Sequence, residues 1–314
     1  MAELRSFSII NSAGEELSLM EKNTFGNTPT GLGLELTNTY YQAYGSFITD
    51  DITVKQGQFS VEMVYGAMSN KPYAQFHEAV KVLNAPPLIL RYDIPDVGTY
   101  FRDIQFVSMA KSEIEEATGV LRSACVFDFT SPWYAWQDVN AYVGHYLHNQ
   151  SKLMATDSGP SAVYPYIYQS DFTSGAPFVR IRNDSLYMGT QDDSPMVVTV
   201  SATSDTGPVS NPSWMLYDSD GSLIQQDRYV LTIPVGYQLI VSTDWKNRFA
   251  VLHSVSGAEA DQDVSAQIDP TVKGFVRAPV GESRLQLDNS TLDQIGDFMG
   301  DNIKVQLKEE WLVV

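Results

Sequence analysis

The sequence contains one cysteine, Cys125, which excludes an internal disulfide. It lies in an alternating apolar run, where a small thiol packs well. No basic residue or paired histidine forms a motif with it of the kind that activates a thiolate. Basic residues are also scarce: 20 Lys and Arg stand against 38 Asp and Glu, for a formal charge of -18. Such a surface repels phosphate backbones and anionic lipid, which argues against direct nucleic-acid or membrane binding. No stretch approaches the roughly 20 apolar residues needed to cross a bilayer. The opening Met1-Ala2-Glu3-Leu4-Arg5 has an early acid and no apolar run behind it, so a signal peptide or anchor is not expected. The expectation is a protein made and kept in a reducing cytosol, or one that leaves only with a lysed cell.

Catalytic signatures are missing too. There is no Gly-x-Ser-x-Gly elbow, no Gly-Lys-Ser/Thr phosphate loop and no His-Glu-x-x-His zinc helix. The reading is therefore a non-enzyme with no catalytic, cofactor-binding or metal residues and no cofactor. Low-complexity tracts and fixed-period repeats are absent, which sets aside solenoids and propellers.

What is present is a folded, strand-rich chain. Hydrophobic residues make up 43% and aromatics 11%, with 17 Tyr and 14 Phe, as half-buried strands require. A length of 314 residues suits two domains. In the first, residues 1–138, Phe59, Val61, Met63 and Tyr65 share one face of a period-two run. A helix follows, with Ser69 or Asn70 as cap, Pro72 in its first turn, Tyr73, Phe76, Val80 and Leu83 at helical spacing, and Pro86-Pro87 as its stop. Leu121, Cys125, Phe127 and Phe129 then oppose Arg122 and Asp128 in another alternating run, before Ser131-Pro132 breaks it. This is a mixed domain with one helix. Residues 139–163 carry Gly144, Asn149, Ser151, Gly159 and Pro160 and read as a linker or projecting loop. Residues 164–314 are purely strand-like, with runs at 196–200, 229–233, 237–241, 249–253 and 303–307. Turns at Asp220-Gly221, Pro234-Val235-Gly236 and Pro279-Val280-Gly281 separate them, which implies a sandwich.

Several short patterns invite chemistry and fall short of it. Gly31-Leu32-Gly33 is half of a dinucleotide fingerprint, but Leu36 replaces the third glycine and no helix follows. Asp218-Ser219-Asp220-Gly221 begins like a calcium loop, yet its glycine comes two positions early and Tyr229 stands where the bidentate Glu belongs, so it reads as a hairpin turn. His145 and His148 are three apart, but His77 and His253 are remote in sequence and no zinc quartet forms. The acidic pairs Asp50-Asp51, Asp192-Asp193 and Asp261 with Asp263 could serve as acid and base on a glycan, but 38 carboxylates produce such pairs by chance.

Taken together, Gly57-Gln58-Phe59, the 73–83 helix, Leu88-Ile89-Leu90-Arg91-Tyr92, Thr99-Tyr100-Phe101-Arg102-Asp103, Lys111-Ser112-Glu113-Ile114 and Thr130-Ser131-Pro132-Trp133-Tyr134 follow the order found in one family. The stretch from Gly57 to Tyr134 resembles the N-terminal ring domain of the distal tail proteins of long-tailed phages that infect Gram-positive hosts. Tyr164-Pro165-Tyr166-Ile167-Tyr168, Asn183-Asp184-Ser185, Asn211-Pro212-Ser213-Trp214 and Pro279-Val280-Gly281-Glu282-Ser283 extend the likeness. The first forty residues match poorly.

The resemblance implies a mainly β fold: an N-terminal β-sandwich or split barrel with one helix, and a C-terminal galectin-like β-sandwich. It also implies a homohexameric ring in the virion's tail tip, made in the bacterial host's cytoplasm. The ring would join the tail tube, made of the major tail protein, to a tail-tip or tail-associated lysin protein and to receptor-binding proteins. The competing reading is a carbohydrate-binding module or glycan hydrolase component, with Trp214 and Trp245 as the aromatic platform.

Overall fold

The period-two run from Gln58 to Tyr65 is the strand around which the first unit is built. Phe59, Val61, Met63 and Tyr65 are all buried on its inner face, as the alternation predicts. The computed structural model describes residues 5–21, 24–66, 71–116, 118–139, 142–143, 178–185, 193–295 and 302–314. The chain forms two compact units. One comprises Met1–Ala135 with Leu186–Thr190 and Glu310–Val314; the other comprises Trp136–Ser185 with Gln191–Glu309. The described residues are mainly strand, with two α-helices.

In the first unit the elements are β1 (Ser6–Ile10), β2 (Glu16–Ser18), β3 (Thr24–Thr30), β4 (Leu36–Ala43), β5 (Ser46–Val54), β6 (Gln58–Tyr65), α1 (Pro72–Leu83), β7 (Leu88–Ile94), β8 (Gly98–Lys111), β9 (Leu121–Phe129) and the start of β10 (Trp133–Asp138), which belongs to the second unit from Trp136. Seven strands make one antiparallel sheet in the order β2-β1-β7-β8-β9-β6-β3. The 14-residue β8 serves both halves: its first part pairs with β7 and its second with β9, with an irregularity between Phe106 and Ser108 that turns the strand. The sheet is not closed. Among the described residues its two edges approach at the isolated bridge Met20↔Phe25 and where the Gly26 amide donates to the Leu19 carbonyl, 2.6 Å away.

Aromatic rings fill the interior. Phe7 stacks on Tyr92 at 4.5 Å, Phe127 lies 6.0 Å from Phe59 and 5.5 Å from Phe106, and Tyr92 leans on Trp133 at 5.7 Å. Burying each such ring stabilises the fold by roughly 1.5–3 kcal/mol. Cys125 sits in this core, and burial pushes its thiol up to about 11.

α1 begins at Pro72 as the sequence indicates, but the expected inward face needs correction. Pro72, Ala79 and Leu83 are buried with Phe76 partly so, whereas Tyr73 is 44% exposed. Positions 72, 76, 79 and 83 form one stripe, and Tyr73 lies a residue's rotation away from it. Its hydroxyl donates to Glu113 and the Lys111 ammonium lies over its ring. Ser69 and Asn70 lie outside the described residues, and no side chain caps the helix at Lys71.

The second unit is a sandwich. Its elements are β11 (Tyr142–Val143), β12 (Phe178–Asn183), β13 (Met196–Ser201), β14 (Val209–Ser210), β15 (Ser213–Asp218), β16 (Leu223–Arg228), β17 (Thr232–Ile233), β18 (Tyr237–Ser242), β19 (Phe249–Ser254), β20 (Gln262–Asp263), β21 (Gly281–Leu287), α2 (Asn289–Ile295) and β22 (Ile303–Trp311). One sheet runs β11-β12-β21-β15-β16, and the facing set runs β22-β13-β18-β19-β20. Val179, Ile181, Leu216 and Leu285 from the first meet Val198, Val200, Leu239 and Val305 from the second in a single core.

The run at 229–233 is shorter than its apolar pattern suggests. Tyr229 makes only an isolated bridge to Ile268, and the strand β17 is just Thr232–Ile233. Tyr229 is instead a core residue, stacked on Trp214 at 5.7 Å. Most of residues 139–163 lie outside the described part, as does Tyr164 to Tyr168.

Candidate functional site

The patterns that invited chemistry are taken up by structure. Gly31 has φ +87°, and a Cβ there would come within 1.7 Å of the Gln58 carbonyl oxygen, so the loop needs glycine to cross β6. The Asp218 carboxylate accepts the amides of Asp220 and Ser222, which holds the β15–β16 turn with Gly221 at φ +84°. His253 pairs with Asp261 at 2.7 Å on the surface. Asp50 and Asp51 are exposed on β5, and Asp263 accepts the Ser265 amide. His145, His148 and Asp192 lie outside the described residues. Among the described residues no three His, Cys, Asp or Glu side chains converge as a metal site.

Trp214 requires a correction. Offered as part of a sugar platform, it is fully buried, and its indole N–H donates to Asp227 at 3.0 Å. Asp227 also accepts the amides of Phe275 and Val276 and thereby fastens that segment to the sandwich. Burial pushes its carboxyl up to about 6, against the pull of those three donors. Trp245 is the exposed one, at 65%, with Lys246 near its ring. The neighbouring Asp244 is committed to a buried ion pair with Lys308 at 2.7 Å. A shallow concavity at the β7–β8 turn is lined by Ser6, Asp93, Asp96 and Thr99. Partial burial works to raise the Asp93 carboxyl, but hydrogen bonds from Thr99, Ser6 and Arg91 outweigh it and hold the group below its ordinary value. Asp93 is thus satisfied by Ser6, Arg91 and Thr99, while Asp96 is exposed at the turn.

The feature left without a structural task is the β4–β5 hairpin. Its two strands pair with each other from Leu36↔Val54 to Ala43↔Ser46 and, among the described residues, with no other strand. It is exposed almost throughout, including Tyr40, Tyr41, Tyr44, Phe47, Ile48 and Ile52; Phe47 is 72% exposed. A lone hairpin of two strands is marginal in water, and exposed apolar residues gathered on one element mark a surface for a partner. The sequence reading missed this element. Its apolar residues come in adjacent pairs, Tyr40-Tyr41 and Phe47-Ile48, and both faces of the strands are exposed, so no period-two pattern marked it.

Residues 6–130, which include the hairpin, match the family model "Distal tail protein, N-terminal domain". The match bears out the resemblance read from Gly57 to Tyr134. No curated protein matches the chain. Among solved structures, a chain of the phage P2 baseplate in its activated conformation with calcium is similar over 99% of this chain and 100% of that one, with 14% identity and a TM-score of 0.70. The Dit protein of phage SPP1, described as a paradigm of the hub adsorption apparatus in phages infecting Gram-positive bacteria, is similar over 96% of this chain and 98% of its own. There the identity is 9% and the TM-score 0.55. At these identities the likeness is one of fold, and it extends through both units.

Proposed function

We propose that this chain, which carries a distal tail protein N-terminal domain over residues 6–130, is the baseplate hub protein of a long-tailed phage, with six copies closed into a ring. The observation that carries the reading is that family match across nearly the whole first unit. The exposed hairpin supports it. A heterologous contact repeated around a closed ring covers the same element on every copy, and the β4–β5 hairpin is the apolar surface such a contact would cover. In this reading residues 1–138 form the ring and residues 164–314 face outward. The ring joins the tail tube, built of the major tail protein, to the tail-tip protein and to receptor-binding proteins. The protein resides in the virion after synthesis in the host cytoplasm. Its role is structural, not enzymatic.

The glycan-module alternative loses one of its two tryptophans to the core, which leaves Trp245 without the platform it needed. Light scattering over a range of concentrations, with electron microscopy of the same sample, tests the hub reading. Closed six-membered rings are expected, and a strictly monomeric species at high concentration would overturn it.

A further inference from the structure

One flank of the sandwich in the second unit is closed by a segment that no strand holds. It runs from the edge strand β16 of one sheet to Ser194, just before β13 of the other. Its two ends are fixed. At the first, the Asp269 amide donates to the Arg228 carbonyl at 2.8 Å, and the Asp269 carboxylate accepts the amide and hydroxyl of Thr271. At the second, Ala278 and Ser194 exchange both backbone hydrogen bonds, and the Asn183 amide group donates to the Ala278 and Pro279 carbonyls. Between them, residues 273–277 make no backbone–backbone hydrogen bond among the described residues.

Their amides are met by side chains of β16 instead. Asp227 accepts the amides of Phe275 and Val276, and Gln225 accepts that of Arg277 at 3.1 Å. Three consecutive amides thus hang from two side chains, where a ladder would have joined backbone to backbone. Val276 is fully buried, Phe275 packs against the core, and the Arg248 guanidinium lies 4.8 Å from the Phe275 ring centre. These contacts favour the closed position, and two features oppose it. Phe275 has φ 63°, a left-handed conformation that bulky side chains rarely adopt. The fully buried Tyr229, stacked on Trp214, has a hydroxyl with no hydrogen-bond partner among the described residues, a cost that access to water removes. The Trp214 indole N–H and the Val276 amide share one oxygen of Asp227, so the segment lies directly beside this aromatic pair.

We propose that residues 273–277 form a strap that opens as a unit while the sandwich stays folded, hinged at the Asp269–Val272 turn and at Ala278, and that its opening uncovers Trp214 and Tyr229. Segments held by few bonds between fixed ends open at lower free energy than strands with full ladders and a facing core. With the strap displaced, β16 presents Gln225 and Asp227 as free acceptors beside an apolar flank. Every contact that holds the strap lies within the second unit of one copy, so the inference stands apart from the ring.

Thiol labelling of the full chain under native conditions tests it. Val276→Cys places a thiol under the strap, and Val241→Cys places one in the middle of β18; both positions are fully buried. The unsubstituted chain, whose single thiol at Cys125 is buried in the first unit, supplies the background. The Val276→Cys thiol should react about tenfold faster or more than the Val241→Cys thiol. Adding Gln225→Ala, which removes one acceptor from a half-buried position, should speed the first by about fivefold and leave the second unchanged. Equal rates for the two thiols, or equal acceleration of both by Gln225→Ala, overturn the proposal, since only unfolding of the whole unit would then expose Val276. Hydrogen exchange of the unsubstituted chain decides the matter without any thiol variant. The amides of residues 275–277 should be about tenfold less protected than those of β18, and equal protection overturns the strap.

Discussion

Replacing Asp227 by asparagine tests whether a buried carboxylate governs the stability of the second unit. The side chain is fully buried and accepts three N–H groups, from Trp214, Phe275 and Val276. Burial raises its carboxyl from an ordinary 3.8 to about 6. The native state then holds the proton more tightly than the unfolded chain. The resulting stabilisation is full below about pH 4 and is lost as the pH rises through about 6. That gap of about 2 pH units, at about 1.4 kcal/mol each, amounts to about 3 kcal/mol.

Asparagine does not titrate, and it fits the donors badly. Its oxygen can serve Trp214 and Val276, but its NH2 then faces the Phe275 amide, a mismatch of about 1–3 kcal/mol at every pH. The variant should therefore be less stable than wild type at pH 4, and the difference should shrink by about 3 kcal/mol as the pH rises to 7. Urea unfolding of both proteins across that range, following the second unit, gives the measurement. Taking the difference cancels the other carboxylates of the chain. A difference that stays flat or widens with pH refutes the reasoning.

Tyr44→Ser combined with Phe47→Ser should leave the melting temperature of the isolated chain within the scatter of surface substitutions, because both side chains are already in solvent. Burying each in a ring contact is worth about 1.5 kcal/mol, so the pair should weaken association by about a hundredfold in sedimentation; unchanged rings would remove the hairpin from the interface. Phe127→Ala opens a cavity between Phe59 and Phe106 and should cost about 3–5 kcal/mol in chemical unfolding of the first unit, with a loss under 1 kcal/mol contradicting the packing described. Gly31→Ala would drive a Cβ into the Gln58 carbonyl at a positive φ, so it should lower the first unit's melting temperature, and a neutral effect would argue against that crossing.

Alternation was legible wherever one face of a strand is buried and the other is wet. Phe59 to Tyr65 and Leu121 to Phe129 could be oriented from sequence, and both packed as read. The helix was found, but its inward face was set one residue wrong because Tyr73 looks apolar and spends its ring on a surface contact. β12, β16 and β21 were not named at all. Their outer positions are arginine, glutamine and glutamate, and such runs look like loops until a partner strand pairs them. Trp214 and Trp245 could not be told apart by type, since an indole is equally at home in a core with a hydrogen-bond acceptor or at a wet surface.

The sequence alone determined the class of the protein: strand-rich, acidic, without disulfides or catalytic motifs, and ordered like a distal tail protein over its first half. These depend on composition and on residues near one another along the chain. Only the tertiary structure decided which tryptophan is exposed, that Asp227 is sealed beneath the sandwich, that the β4–β5 hairpin stands bare, and that Gln225 and Asp227 hold the amides of residues 275–277. Each of those depends on which strands pair and in what register. Residues a hundred positions apart become neighbours only when long-range hydrogen bonds and core burial together fix that register.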